Sequence, residues 1–179
     1  MTVRAKRTAV VVCAIAIAAT ACGGPTAETP PAQTTSAAES RTISWEPCSN
    51  IPEDTVIRLE LDEKEPEARS GNSPSRLICG YWMRQPRTTM SVMVMDYPLE
   101  RRKSDERFRT MDEGTVSGRP YVISDFPNIS CNYTVGVEPG IIDIMVGYGS
   151  DSPDITELQE CISHVTRIGE GLAPHFPDR

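Results

Sequence analysis

The chain has 179 residues and a formal net charge of −7, which becomes −10 when residues 1–21, with three basic and no acidic residues, are set apart. A strongly acidic surface argues against a nucleic-acid partner and against binding to anionic headgroups. The folded part is about 135 residues long, which corresponds to one domain.

The N-terminus has the three parts of a secretory signal peptide. Arg4, Lys6 and Arg7 precede an uncharged run over residues 8–21, and the run ends in small residues. A membrane-spanning helix is the alternative, but spanning needs about 20 apolar residues and this run is shorter. We therefore predict that residues 1–21 are a signal peptide.

Cys22 follows this run, and two processing routes fit its surroundings. Residues 19–21 satisfy the small-x-small rule of ordinary secretion. Residues 18–22 also resemble a bacterial lipobox, although Ala19 stands where most lipoboxes have Leu. Once Cys13 leaves with the signal peptide, five cysteines remain, and an odd cysteine is a liability in an exported protein. Lipidation of Cys22, with palmitate-type acyl chains, leaves an even set and anchors the protein on the outer face of the cell membrane.

A low-complexity segment separates this cysteine from the folded part. Residues 23–41 contain no large apolar side chain, so the segment cannot bury enough surface to offset its ordering entropy. We predict a lipidated cysteine and disordered tether over residues 22–42. A single domain over residues 43–179 follows the tether.

The first half of the domain contains two clear strand patterns. Pro52 with acidic residues after it favours a short helix, although apolar alternation over residues 57–61 would suit a strand. Residues 63–75 are charged and rich in Pro, Gly and Ser, which predicts a loop. Strands are predicted over residues 77–83 and 89–97, and residues 99–111 predict a charged surface helix with a thin apolar stripe.

The second half supplies three more strands and the clearest helix. Residues 121–126, 130–137 and 141–148 predict strands, with Glu138-Pro139-Gly140 as a hairpin turn. Ser152 is expected to cap a helix with Pro153 at its first position. An apolar stripe at helical spacing continues to Leu172. Together these elements predict an α+β fold. It has an antiparallel sheet of about five strands, a long C-terminal helix on one face and a shorter charged helix elsewhere.

Several short motifs recur together, in this order, in one protein family. They are the lipobox, the tether, Trp45-Glu46-Pro47-Cys48, Gly118-Arg119-Pro120, Ser130-Cys131, and Cys161 with Leu172-Ala173-Pro174. In these features the chain resembles actinobacterial lipoproteins grouped as a domain of unknown function, over about Trp45 to Pro177. The resemblance implies a Gram-positive, high-GC source and an extracytoplasmic location. That family brings no agreed activity.

Four cysteines remain for covalent pairing in the domain. Cys131 lies on the apolar face of its strand and Cys161 on the apolar stripe of the last helix, and these two faces should meet. This favours a Cys131–Cys161 disulfide and leaves Cys48–Cys79 as the second. Each disulfide should stabilise the domain by roughly 3–4 kcal/mol, because it restricts the unfolded chain. A metal site is the alternative, but no two of these cysteines are close in sequence and neither histidine falls near a pair. We predict two disulfides and no metal.

The sequence contains no recognisable catalytic or cofactor motif. His164 lies one helical turn after Glu160, which predicts an ordinary helix-surface pair, and His175 has no companion. No Gly-x-Ser-x-Gly elbow or Gly-rich phosphate loop is present. Asp143 interrupts an apolar strand, and alternation places it on the face away from the core, where we expect solvent. We expect no catalytic residue and no cofactor.

One strand has apolar residues on both faces. Met93, Met95 and Tyr97 alternate opposite Met90, Val92 and Val94, and Trp82 can reach the same area from the neighbouring strand. These side chains form either a second small core or an adaptable binding face. Trp82, Met93, Met95 and Tyr97 are the candidate binding face. A non-catalytic module that binds an envelope protein or an apolar ligand is the favoured function, and an envelope hydrolase is the alternative.

Overall fold

The computed structural model describes residues 44–63, 76–152 and 154–177. The predicted signal peptide, Cys22, the tether, most of the loop over residues 63–75, and Pro153 lie outside these residues. All described residues belong to one compact unit, Glu39–Arg179. Its helices are α1 (Pro47–Asn50), α2 (Glu53–Arg58), α3 (Leu99–Lys103) and α4 (Leu158–Leu172). Its strands are β1 (Leu61–Glu63), β2 (Arg76–Met83), β3 (Thr88–Met95), β4 (Arg109–Val116), β5 (Arg119–Phe126), β6 (Ser130–Val137) and β7 (Gly140–Gly147).

The described strands form one antiparallel sheet in the order β1-β2-β3-β7-β6-β5-β4. The α+β prediction is confirmed, and so are all five predicted strands. Two further strands, β1 and β4, extend the sheet at its edges. The predicted short helix after Pro52 is also present as α2, and β1 follows it directly.

The first face of the sheet carries the main core, and α4 packs on it. Buried side chains from six strands form one apolar cluster there with the stripe of α4, which includes Val165 and Ile168. Gly169 lets the helix approach closely, since a Cβ at this position would lie 2.5 Å from the Tyr133 ring. Small residues at such crossings shorten the distance between helix and sheet, which seals the first face.

The two predicted disulfides are confirmed. Cys131 of β6 is joined to Cys161 of α4, and Cys48 of α1 is joined to Cys79 of β2. All but Cys48 are fully buried. Each bond therefore ties a helix to the first face of the sheet, and together they use the four cysteines of the described residues.

The beginning and the end of the described chain are fastened to each other. The Trp45 indole Nε1 donates a hydrogen bond to the His175 carbonyl oxygen at 2.9 Å, and its ring meets Phe176 edge-on at 5.9 Å between centroids. The His175 ring Nε2 lies 2.9 Å from the Thr55 hydroxyl. His175 is thus part of the contact between α2 and the C-terminus.

The predicted helix over residues 99–111 is wrong in its second half. Helix α3 ends at Lys103, and residues 109–116 form β4 at the sheet edge. The Asp105 carboxylate accepts a hydrogen bond from the Arg107 backbone N–H at 3.1 Å, and such local bonds compete with the helical ones. Ion pairing with the Arg107 guanidinium lowers the pKa of Asp105 to about 2. The chain therefore turns here and pairs with β5.

The predicted start of the last helix is also wrong. Helix α4 begins at Leu158, and residues Gly149–Asp151 form a 3₁₀ turn. The Ser152 hydroxyl is buried and bonds to the Thr88 hydroxyl of β3, so it does not cap a helix. Ile155, which was predicted to lie on the apolar stripe of this helix, precedes α4 but is still buried in the main core.

Candidate functional site

The second face of the sheet, which lies opposite α4, is covered over only part of its width. At its covered part Met93, Met95, Leu99, Val122 and Ile141 form a separate small core, with Tyr97 and Met145 at its margin. Helix α3 is five residues long, too short to extend across the face. The strands nearest β2 are therefore left with apolar side chains at the surface.

The four residues of the candidate binding face divide between these two environments. Met93 and Met95 are 7% and 9% exposed and belong to the second core, whereas Trp82 is 51% exposed. Tyr97 is partly buried, and its ring lies 5.0 Å from the Arg101 guanidinium carbon. Burial is the main cause that raises the pKa of Tyr97. The four side chains do not form one continuous exposed surface.

Asp143 is fully buried, so its expected exposure to solvent is wrong. Alternation assigned it correctly to the second face, but that face is covered at this point. Arg102 of α3 donates to one Asp143 carboxylate oxygen at 2.5 Å, and Thr134 donates to the other at 2.6 Å. Asn132 adds a third bond at 3.0 Å. The carboxylate is thus the partner that fixes α3 to the sheet.

The Arg102 guanidinium is held on its other side by an aromatic ring. Its central carbon lies 4.1 Å from the centroid of Phe108, which stacks against Phe126 of β5. Arg102 is only 5% exposed. This network of buried charge and ring contacts closes the part of the second face above β5, β6 and β7.

Next to the closed part lies a trough across β2, β3 and β7. Gly80 pairs with Ser91 of β3, so this cross-strand row carries small side chains on β2 and β3, and Met145 of β7 ends it. The preceding row pairs Ile78 with Met93, and these larger side chains form a wall. The resulting cavity has a volume of about 250 Å³, and Arg76 is among the residues that line it. Sequence reasoning missed this trough.

Arg76 is the one charged side chain that lines the trough. Its guanidinium lies 3.1 Å from the Met93 sulfur. Within the described residues no carboxylate forms an ion pair with it, whereas Arg84, Arg102, Arg107 and Arg109 each have one. A guanidinium without a carboxylate partner can donate hydrogen bonds to an anionic group.

The other buried acid is also fully engaged. Asp125 accepts hydrogen bonds from the Tyr148 hydroxyl at 2.5 Å and from Arg109 at 2.6 Å. Burial and this bond raise the pKa of Tyr148.

The expected Glu160–His164 pair is present at 3.9 Å between a carboxylate oxygen and the imidazole Nε2, and burial nevertheless lowers the pKa of His164. In the part of the chain that the structure describes, no three His, Cys, Asp or Glu side chains form a possible metal site.

A second hollow of about 450 Å³ lies beside the Cys48–Cys79 disulfide. Val56, Ile57 and Tyr81 line it, and the exposed Arg84–Asp62 ion pair forms part of its border. Arg84 and Asp62 already pair with each other there, so the described part of this border offers a ligand no unpaired cation.

Comparison with known proteins gives one match. The profile of a family described as protein of unknown function, DUF3558, matches residues 13–163. No curated protein and no solved structure matches the chain significantly. Among residues 44–63, 76–152 and 154–177, no helix is long and apolar enough to cross a membrane. The family match extends over most of the chain, which therefore belongs to the DUF3558 family.

Proposed function

We propose that this protein is a membrane-anchored extracytoplasmic lipoprotein whose domain is a non-catalytic binding module for an envelope protein or an apolar ligand. The observation that carries the proposal is the trough, an apolar recess on a sheet face that α3 covers only in part. Its contacts are with the membrane, through the lipid, and with an envelope molecule, and we propose no nucleic-acid partner.

Cysteine chemistry supports the anchored location. Both disulfides are of the kind that forms in oxidising compartments, and they use Cys48, Cys79, Cys131 and Cys161. Cys22 is then the cysteine left over after removal of the signal peptide. The family match begins at residue 13 and so includes it. One acyl chain holds a protein only marginally, whereas two or more give stable attachment.

We expect Cys22 to be the lipidated N-terminus of the mature protein. Intact-mass measurement of the protein isolated from membranes should show acyl mass on an N-terminal peptide that begins at Cys22. A Cys22→Ala variant should appear in the medium because it lacks the anchor. An unmodified Cys22 in a secreted wild-type chain would refute this part of the proposal.

The side chains around the trough suit binding. Methionine is flexible and polarizable, so Met93 and Met145 can adapt to an apolar group of variable shape. Ile78 and Trp82, at 43% and 51% exposure, bring two large apolar side chains to the surface of one strand. For the alternative, a hydrolase, Asp125 and Asp143 are poor candidates because arginine and hydroxyl groups already occupy their oxygens.

Photo-cross-linking tests the binding role with a matched control. A photoreactive residue replaces Ile78 in the trough in one variant and Ile129 in the other, which has a similar exposure of 48%. In growing cells we expect position 78 to capture an envelope molecule reproducibly and position 129 to give background labelling. Equal labelling at the two positions would refute the binding role of the trough.

A further inference from the structure

The trough has the dimensions and the charge of a site for one acyl chain with an anionic head group. We infer that it binds a single-chain fatty-acid carboxylate, with the chain in the trough and the head group on Arg76. This inference rests on the proposed binding role and names its ligand.

The size of the trough limits what it can accept. It crosses from β2 to β7, two strand spacings or about 10 Å, and has a volume of about 250 Å³. Sites for drug-sized ligands range from about 300 to 1,000 Å³. A two-chain lipid is too large for this volume, whereas a segment of one extended acyl chain fits along the row of Gly80 and Ser91.

The charge of the trough favours an anion at one end. Arg76 is exposed, and its guanidinium has a sulfur contact but no carboxylate partner within the described residues. The planar guanidinium can donate two parallel hydrogen bonds to a carboxylate, which makes arginine well suited to this head group. The acidic net charge of the chain opposes anions over long distances, but salt screens such charges beyond about 8–10 Å. The local cation therefore determines binding at this end.

The floor of the trough has an unused polar group. The Ser91 hydroxyl is buried and has no hydrogen-bond partner among the described residues. An acyl chain cannot bond to this hydroxyl, so Ser91 contributes space and no polar contact to the site. The small Ser91 side chain leaves space for the ligand between Met93 and Met145, and a larger apolar residue would fill that space.

Calorimetric titration distinguishes this ligand from a neutral one. The exported chain carrying Cys22→Ser needs no detergent. It is titrated with dodecanoate below its micelle concentration and with dodecanol below its solubility limit. We expect dodecanoate to bind about tenfold more tightly, because an ionised acceptor strengthens the hydrogen bonds of Arg76. In Arg76→Met this difference should disappear, while dodecanol binding stays unchanged.

Two further variants complete the test. Ser91→Leu should abolish binding of both compounds, and an unchanged melting temperature would show that it folds. Arg167→Met removes another exposed guanidinium, on α4 at the opposite face of the sheet, and should leave the preference for dodecanoate intact. Equal affinity for the two compounds, or a preference that survives in Arg76→Met, would overturn the fatty-acid inference. If the wild type binds dodecanol and Ser91→Leu does not, the proposed binding role is supported even when the fatty-acid inference fails. If the wild type binds neither compound, the fatty-acid inference is overturned, and the cross-linking experiment decides the binding role.

Discussion

Replacing Asp143 with alanine is expected to cost the domain about 3–5 kcal/mol of unfolding free energy, because it leaves a buried guanidinium without its partner. The side chains of Arg102 and Asp143 are 5% and 0% exposed, and a guanidinium nitrogen of Arg102 lies 2.5 Å from a carboxylate oxygen of Asp143. Asn132 and Thr134 would lose their acceptor as well. Urea unfolding followed by circular dichroism measures the loss.

The exposed Arg84–Asp62 pair supplies the matched control, since both side chains are about half exposed. Asp62→Ala should leave the urea midpoint nearly unchanged because water replaces the lost partner. The double variant Arg102→Met with Asp143→Leu should recover much of the stability that Asp143→Ala loses, since it removes both charges. A loss for Asp143→Ala no larger than that for Asp62→Ala would show that this pair does not hold α3.

The strands that could be predicted from the sequence are those with one apolar and one polar face, or with two apolar faces. Strands β6 and β7 alternate clearly, and their hairpin has a strong turn signal, so both were found almost to the residue. Strand β4 was missed because it is exposed along nearly its whole length, and no apolar alternation distinguishes it from a charged helix. Its pairing with β5, which the local pattern does not encode, determines its conformation.

Asp143 shows why the candidate site was harder to predict than the fold. Alternation gives the face on which a side chain lies, but it does not say what covers that face. Covering depends on Arg102 and Phe108, which are distant in sequence from Asp143. Arg102 lies in the correctly predicted part of the helix, whereas Phe108 lies in the segment whose secondary structure was predicted wrongly.

The trough could have been found from the register of one hairpin. If the turn over Arg84–Arg87 is placed between β2 and β3, Gly80 falls opposite Ser91 and Ile78 opposite Met93. Two small side chains next to two large ones then predict a recess. Alternation along a strand gives the face of each residue but not its neighbours across strands, which is why the recess was missed.

Ile78 and Met93 offer a direct comparison between an exposed and a buried side chain of the second face. They pair across β2 and β3 on the same face, yet Ile78 is 43% exposed and Met93 only 7%. Met93→Ser should lose about 2–5 kcal/mol of unfolding free energy, as buried methionines do when they are truncated. Ile78→Ser should stay within about 0.5 kcal/mol of the wild type, as exposed substitutions usually do.

Native mass spectrometry of the protein gently extracted from its own membranes tests most directly whether the open part binds an apolar molecule. The wild type and the Ile129→Ser control should carry a noncovalent apolar adduct, and Ile78→Ser should lose it while unfolding at the wild-type temperature. An adduct that persists in Ile78→Ser, or a wild-type protein that carries none and hydrolyses envelope substrates, would contradict a binding role for the trough.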